Sequence, residues 1–236
     1  MHSINSDLLV IGYDEVYRST TAGAIWDSIS YNVSGGQAIK SIALAASNED
    51  YIYAASYTKI KVTKDAGASW TYIKPGLANY NITDIAVATN NADRAWVTFS
   101  DYNNIHKVYE TNDAGSSWEN ITGNNLPGLP VNCIVYQGGA NDDLYIGTDI
   151  GVYYKNNNMT EWIPFNDGLP NVIVKELEIH YTEGTISAAT YGRGVWKSPL
   201  NTLSTNINTI KPLYFSVYKN PAYDKITIKT ESQNII

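Results

Sequence analysis

A tyrosine or an acidic residue recurs in five short turn segments: Tyr13-Asp14, Tyr57-Thr58, Asp101-Tyr102, Asp149 and Tyr191-Gly192-Arg193. A phenol ring offers a flat apolar surface with a hydroxyl at its edge, and a carboxylate accepts several hydrogen bonds. Together they suit a polyhydroxylated ligand, whose C–H face stacks on the ring while its hydroxyls donate. The ligand-contacting set read from the sequence is Asp14, Tyr57, Asp101, Tyr102, Asp149, Tyr191 and Arg193, with a polysaccharide or a surface protein as partner. Turn closure is the competing role, since aspartate and glycine shape tight turns unaided.

Asp101 and Asp149 are the carboxylates best placed to act as a pair. Hydrolysis of a glycosidic bond needs two such groups, about 5–5.5 Å apart for retention or roughly 6.5–9.5 Å for inversion. No motif separates these two from the other turn aspartates, so the chain as it stands reads as non-catalytic. Metal and cofactor chemistry find no support either. His2, His106 and His180 show no ligand spacing, and the chain contains neither a paired CxxC nor a glycine-rich phosphate loop. The single cysteine, Cys133, lies in an apolar stretch and is expected to be buried and inert. A net charge of -7 argues against nucleic acid and against anionic membrane surfaces. No apolar run reaches the ~18 residues of a membrane span.

The elements that position these residues come from an internal repeat. Tryptophans stand at Trp26, Trp70, Trp118 and Trp162, spaced by 44, 48 and 44 residues. Two share one lead-in, Thr63-Lys64-Asp65-Ala66-Gly67-Ala68-Ser69-Trp70 and Thr111-Asn112-Asp113-Ala114-Gly115-Ser116-Ser117-Trp118. Asp65 and Asp113 can accept backbone N–H groups within the turn, Gly67 and Gly115 can take positive φ, and Trp70 and Trp118 can pack between sheets. These six residues are read as structural. The copy before Trp26 has Thr21 in the aspartate position, and the copy before Trp162 has Asn157 and Met159 for aspartate and glycine.

Other segments keep the same phase. Ile39-Lys40-Ser41-Ile42, Ile82-Thr83-Asp84-Ile85, Val131-Asn132-Cys133-Ile134 and Val174-Lys175-Glu176-Leu177 recur at intervals of 43, 49 and 43. Each opens a strand, a second and third follow, and a fourth contains the tryptophan. Four short strands per period of about 45 residues describe the blade of a β-propeller. The expected fold is therefore all-β, with four-stranded antiparallel blades over residues 1–200. The count is 3 + 12 + 3 strands, about four and a half blades. The first unit lacks an innermost strand and the last an outermost one.

The tryptophan lead-in resembles the Asp box of sialidase-type (BNR) repeats. Gly147-Thr148-Asp149-Ile150-Gly151-Val152-Tyr153-Tyr154 and Thr190-Tyr191-Gly192-Arg193-Gly194-Val195-Trp196 look like segments of secreted BNR and sortilin-like propellers, and of family 74 glycoside hydrolases. The resemblance implies a binding propeller, with a fragment of a xyloglucanase-like hydrolase or an adhesion scaffold as alternatives. In the family 74 enzymes the catalytic aspartates come from two propellers, so they do not map onto this chain. A sialidase clamps its substrate with three arginines. This chain has only Arg18, Arg94 and Arg193, with Arg18 in a third strand and Arg94 entering a second.

After a polar linker, residues 201–212, comes Phe215-Ser216-Val217-Tyr218-Lys219-Asn220-Pro221-Ala222-Tyr223-Asp224-Lys225-Ile226-Thr227-Ile228. This resembles the opening of the type IX secretion C-terminal sorting domain, VYPNP followed by aspartate and a short strand. Lys219 replaces the first proline and Tyr223 a small residue. Residues 213–236 are thus expected to be a truncated sorting domain. The resemblance implies the type IX machinery as partner and an extracellular or cell-surface location in a Gram-negative bacterium. Further blades are expected upstream of Met1, in a longer secreted protein.

Overall fold

The computed structural model describes residues 5–201 and the backbone of Ser216–Val217. Among these residues there is no helix, and the strands fall into five antiparallel sheets. Sheet I holds β1 (Leu9–Gly12), β2 (Val16–Ser19) and β3 (Asp27–Ser28). Sheet II runs through β4 (Ser41–Leu44), β5 (Ile52–Ala55), β6 (Ile60–Thr63) and β7 (Thr71–Tyr72). Sheet III has β8 (Ile82–Ala88), β9 (Asn91–Phe99), β10 (Val108–Thr111) and β11 (Glu119–Asn120). Sheet IV has β12 (Val131–Gln137), β13 (Asp143–Thr148), β14 (Gly151–Lys155) and β15 (Ile163–Pro164). Sheet V has β16 (Val174–His180), β17 (Thr185–Thr190), β18 (Gly194–Pro199) and β19 (Ser216–Val217).

Strands are neighbours in sequence order within every sheet, so each blade is a simple meander. The inner strands pack in series, β4 on β8, β8 on β12 and β12 on β16, and β1, the counterpart of the second strands, packs on β4. The expected blades are therefore present, with two differences. The outer strand does not contain the tryptophan but starts just after it, at Asp27, Thr71, Glu119 and Ile163. The fifth sheet does have an outer strand: Ser216–Val217 pairs antiparallel with Trp196–Lys197. That strand comes from the segment read as the tail. Residues 202–215 and 218–236, which hold the linker and nearly all of the sorting-like segment, lie outside the described residues.

The aspartate turns close as their composition dictates. Asp65 Oδ1 accepts the Ser69 N–H at 2.8 Å and the Thr63 hydroxyl at 2.7 Å, while Oδ2 accepts the Ser69 hydroxyl at 2.6 Å. Asp113 repeats this with Ser117 and Thr111. Gly67 and Gly115 take φ of +100° and +83°. In sheet I, Thr21 Oγ1 substitutes by accepting the Ile25 N–H at 2.9 Å. Hydrogen bonds from Ser69 and Ser117 hold the Asp65 and Asp113 carboxyls down to about 2. A depressed carboxylate pKa stabilises the fold above its unfolded value and loses that stabilisation as pH falls through the folded one. The Asp113→Ala variant is thus expected to be less stable than the parent at pH 7 and closer to it near pH 2. Urea unfolding at both pH values measures the two gaps, and equal gaps would refute the linkage.

The cores lie between sheets. Trp96 of sheet III stacks on Tyr136 of sheet IV, with ring centroids 4.8 Å apart. The Arg94 guanidinium lies 4.8 Å above the Trp96 ring and pairs with Glu110 at 2.6 Å and Asp142 at 2.7 Å. Asp84, partly buried on the innermost strand of sheet III, ties three sheets together. It accepts the Ser41 hydroxyl of sheet II at 2.8 Å and the Ile134 N–H of sheet IV at 3.0 Å. A register shift between Ile82 and Asp84 sets this strand's twist, and equivalent shifts occur at Val131/Cys133 and Val174/Glu176.

Candidate functional site

The hairpin turns between second and third strands, and the β1–β2 turn that takes their place in three-stranded sheet I, leave the sheets at the same end, because each sheet is the same meander. They carry Tyr13-Asp14, Tyr57-Thr58, the longer Ser100–Lys107 segment, Asp149-Ile150 and Tyr191–Arg193. Backbone bonds dock these turns on the connections entering the inner strands: Ile39 N–H to Tyr13 O, Ile82 N–H to Tyr57 O, and Tyr191 N–H to Ile173 O. The sequence-derived candidates therefore share one face.

On that face Tyr13, Tyr102 and Tyr191 are 74, 73 and 73% exposed. Tyr57 is partly covered by Lys40, whose ammonium lies 4.3 Å above the ring. Asp101 caps its own turn, accepting the Tyr102 N–H at 2.7 Å and the Asn103 amide at 2.6 Å. The Asn103 amide first, and the Tyr102 N–H second, hold the Asp101 carboxyl below the usual range. Asp149 Oδ1 accepts the Asn132 amide at 2.9 Å. Arg193 forms no ion pair among the described residues, and its carbonyl accepts the Trp196 indole N–H at 3.0 Å.

Sequence reasoning missed Lys107. Its side chain is fully buried, and its ammonium donates to the Asp101 carbonyl. Burial pulls the Lys107 pKa down, while the charges of Asp101 and Asp149 oppose that shift. The lysine thus lies within electrostatic reach of both candidate carboxylates, which come from adjacent sheets. The unusual length of the Ser100–Lys107 turn was the available signal. Its other half, with the end of sheet III, lines a cavity of about 350 Å³ between Asn104, Ile105, Asn120, Gly123 and Asn124. Three side-chain amides beside one exposed isoleucine offer donors, acceptors and an apolar patch.

Asp101 lacks the electrostatics of a general acid. A general acid needs a carboxyl pKa pushed up towards neutrality. Asp101 is pushed down instead. Cys133 is buried on the inner strand of sheet IV, and burial raises its thiol pKa well above the ordinary value. Among the described residues no group of three or more His, Cys, Asp or Glu side chains could hold a metal, and no helix could cross a membrane. The three arginines are dispersed: Arg18 is in β2, Arg94 is engaged by Glu110 and Asp142, and Arg193 is in the last hairpin.

This is a β-propeller fold of four-stranded antiparallel blades. It is similar to an ancestral GH74 enzyme at 18% identity and a TM-score of 0.66, over 90% of this chain and 30% of that one. It is also similar to the β-propeller domain of Cps50 (Swd1) from Myceliophteria thermophila, at 12% identity and a TM-score of 0.68, covering 91% of this chain and 69% of that one. YCF48 bound to D1 peptide matches at 15% identity and a TM-score of 0.57, over 83% and 62% of the two chains. The chain thus spans less than a third of the length of that GH74 enzyme. At these identities the likeness concerns the fold alone. No family model matches the chain. No curated protein matches it either.

Proposed function

We propose that the face formed by the second-to-third-strand turns is a binding surface for polysaccharide or for a surface protein. The observation that carries this reading is the row of exposed Tyr13, Tyr102 and Tyr191 rings on one face, beside the ionised Asp101 acceptor. The lead-in to Trp70 and Trp118 and the sorting-like tail support a secreted Asp-box protein displayed at the cell surface or released by type IX export.

Immobilised polysaccharides, xyloglucan among them, and purified outer-surface proteins form the test panel. Changing Tyr57, Tyr102 and Tyr191 together to alanine is expected to weaken binding at least ~10-fold, since each ring contact contributes about 0.5–1.5 kcal/mol. Unchanged affinity in that triple variant would remove this face from the function. A second reading, a portion of a glycoside hydrolase, is favoured by the likeness to the GH74 enzyme. It places Asp101 or Asp149 in turnover by the whole enzyme, and an Asp149→Ala or Asp101→Ala change without effect would exclude that residue.

A further inference from the structure

We propose that the cavity beside the Ser100–Lys107 turn is a pocket for one neutral sugar ring, held through side-chain amides. The turn contributes Asn104 and Ile105 to it, and the end of sheet III with the connection that follows contributes Asn120, Gly123 and Asn124. Its volume of about 350 Å³ is at the small end of the roughly 300–1,000 Å³ of small-molecule sites, which suits one ring rather than an oligosaccharide. The inference rests on the proposed binding face for its ligand class, carbohydrate rather than protein, since exposed Tyr102 stands on the same turn two residues before Asn104.

Hydrogen bonds fix the walls of this pocket. Asn103 Oδ1 accepts the N–H groups of Ile105 at 2.9 Å and of His106 at 2.7 Å. The Asn120 amide donates to the Ile105 carbonyl at 2.8 Å, tying the turn to the outer strand, and its oxygen accepts the Thr122 N–H at 3.0 Å. Glu161, just before β15, accepts the Asn124 backbone N–H at 2.8 Å and the Asn124 amide at 3.3 Å. A site ordered in advance loses less entropy when it binds.

The groups left unengaged define the ligand. The Asn104 amide has no partner among the described residues, and the Asn124 amide uses only its nitrogen. An amide sets a donor beside an acceptor, and a sugar hydroxyl, itself both, answers either. Ile105, 59% exposed, offers its side chain to the C–H groups of the ring. No cationic side chain lines the cavity, and a Cβ on Gly123 would lie 2.5 Å from Glu161 Oε2. An acidic sugar would meet that carboxylate with no counter-charge, so the pocket selects a neutral one. A peptide added as a strand is held by backbone hydrogen bonds. Here the N–H groups of Ile105, His106, Thr122 and Asn124 are already taken.

The test titrates the isotope-labelled full chain with the methyl glycosides of glucose, galactose, mannose and xylose, following side-chain amide signals by NMR. At least one glycoside is expected to shift Asn104, Asn120 and Asn124 together and saturably. Methyl glucuronide is expected to bind at least ~10-fold more weakly than methyl glucoside, from like-charge repulsion. Asn104→Ala removes an amide that bonds nothing in the fold. It is expected to weaken the titration about fivefold, as for one lost hydrogen bond, with thermal unfolding unchanged. The alanine variant of Tyr57, Tyr102 and Tyr191 separates the two readings. If it keeps full polysaccharide affinity while a glycoside still fills the pocket, the tyrosine face falls and the pocket stands. If it loses polysaccharide while no neutral glycoside shifts the three amides of the parent, the pocket falls and the face stands. Glucuronide binding as tightly as glucoside, or an Asn104→Ala variant titrating like the parent, also overturns the pocket. Stronger shifts of the same signals with acetyl-alanyl-alanine amide would overturn it in favour of a protein segment.

Discussion

Replacing Trp162 by alanine is expected to cost about 3–5 kcal/mol, the range for truncating a buried large aromatic. The ring is fully buried between sheets III and IV, in a cluster with Val108, Leu126, Ile134 and Tyr153. The change leaves a cavity that surrounding strands cannot close, because their hydrogen bonds fix them in register. It also strips the Ile121 carbonyl of its indole donor, and Asn125 accepts the backbone N–H of the same tryptophan at 3.2 Å. For a chain of this length the midpoint of thermal unfolding should fall by roughly 10 °C. A fall of less than about 3 °C in a scanning calorimeter would mean that the sheet III–IV interface does not depend on this ring. Trp26→Phe in the same chain serves as the contrast, since its indole N–H has no acceptor among the described residues.

Asp84 gives the second large effect. Asp84→Ala leaves the buried Ile134 N–H without an acceptor and frees the Ser41 hydroxyl, and each orphaned buried group costs about 1–3 kcal/mol. The expected loss is about 2–4 kcal/mol, spread over three sheets at once. Its pH dependence runs opposite to that of Asp113. Burial raises the Asp84 pKa, partly offset by the hydrogen bonds from Ile134, Ser41 and Ile85. A folded pKa above the unfolded one means that native protein binds the proton more tightly. The stability this gives is present below the unfolded pKa and is lost as pH rises through the folded one. Asp84→Asn is uncharged throughout, so its deficit relative to the parent should be largest at pH 3 and shrink towards pH 8. Chemical denaturation across that range would show it, and a deficit that grows with pH would refute the burial argument.

The blades were legible because two periods coincide. Strands alternate every second residue, and the tryptophan, its glycine and the inner-strand opening recur every 43 to 49 residues. Val174–His180 and Thr185–Thr190 could be delimited from sequence because both faces of those strands carry a readable pattern. The outer strands could not. Each pairs over only two residues, so no alternation develops, and pairing starts after the tryptophan rather than at it. Asp84 looked like one more strand residue. Its carboxylate bonds both neighbouring sheets beside a register shift that periodicity does not show, although the column Ser41, Asp84, Cys133 and Glu176 was there to be compared. Lys107 was missed for a related reason. A lysine opening a strand is ordinarily solvated, and its burial depends on a carbonyl that the Ser100–Lys107 turn folds back over it. At the candidate face the turns lie at one end of the sheets, a placement that follows from strand order alone.

In the first three repeats the turn glycine, the tryptophan and the isoleucine three positions later (Ile29, Ile73 and Ile121, whose carbonyls accept the indole N–H of the next repeat) make each complementary to its own copy. Tandem duplication of the encoding DNA would therefore add a compatible neighbour at once, with no second mutation needed to create an interface. Sheet V breaks that rule, since Glu176, Glu178, Ser187 and Lys197 stand where sheet IV has Cys133, Val135, Tyr145 and Tyr154 against its neighbour. Copies inserted before it inherit a matching surface, whereas copies placed after it do not, which gives such an array a heritable direction of growth.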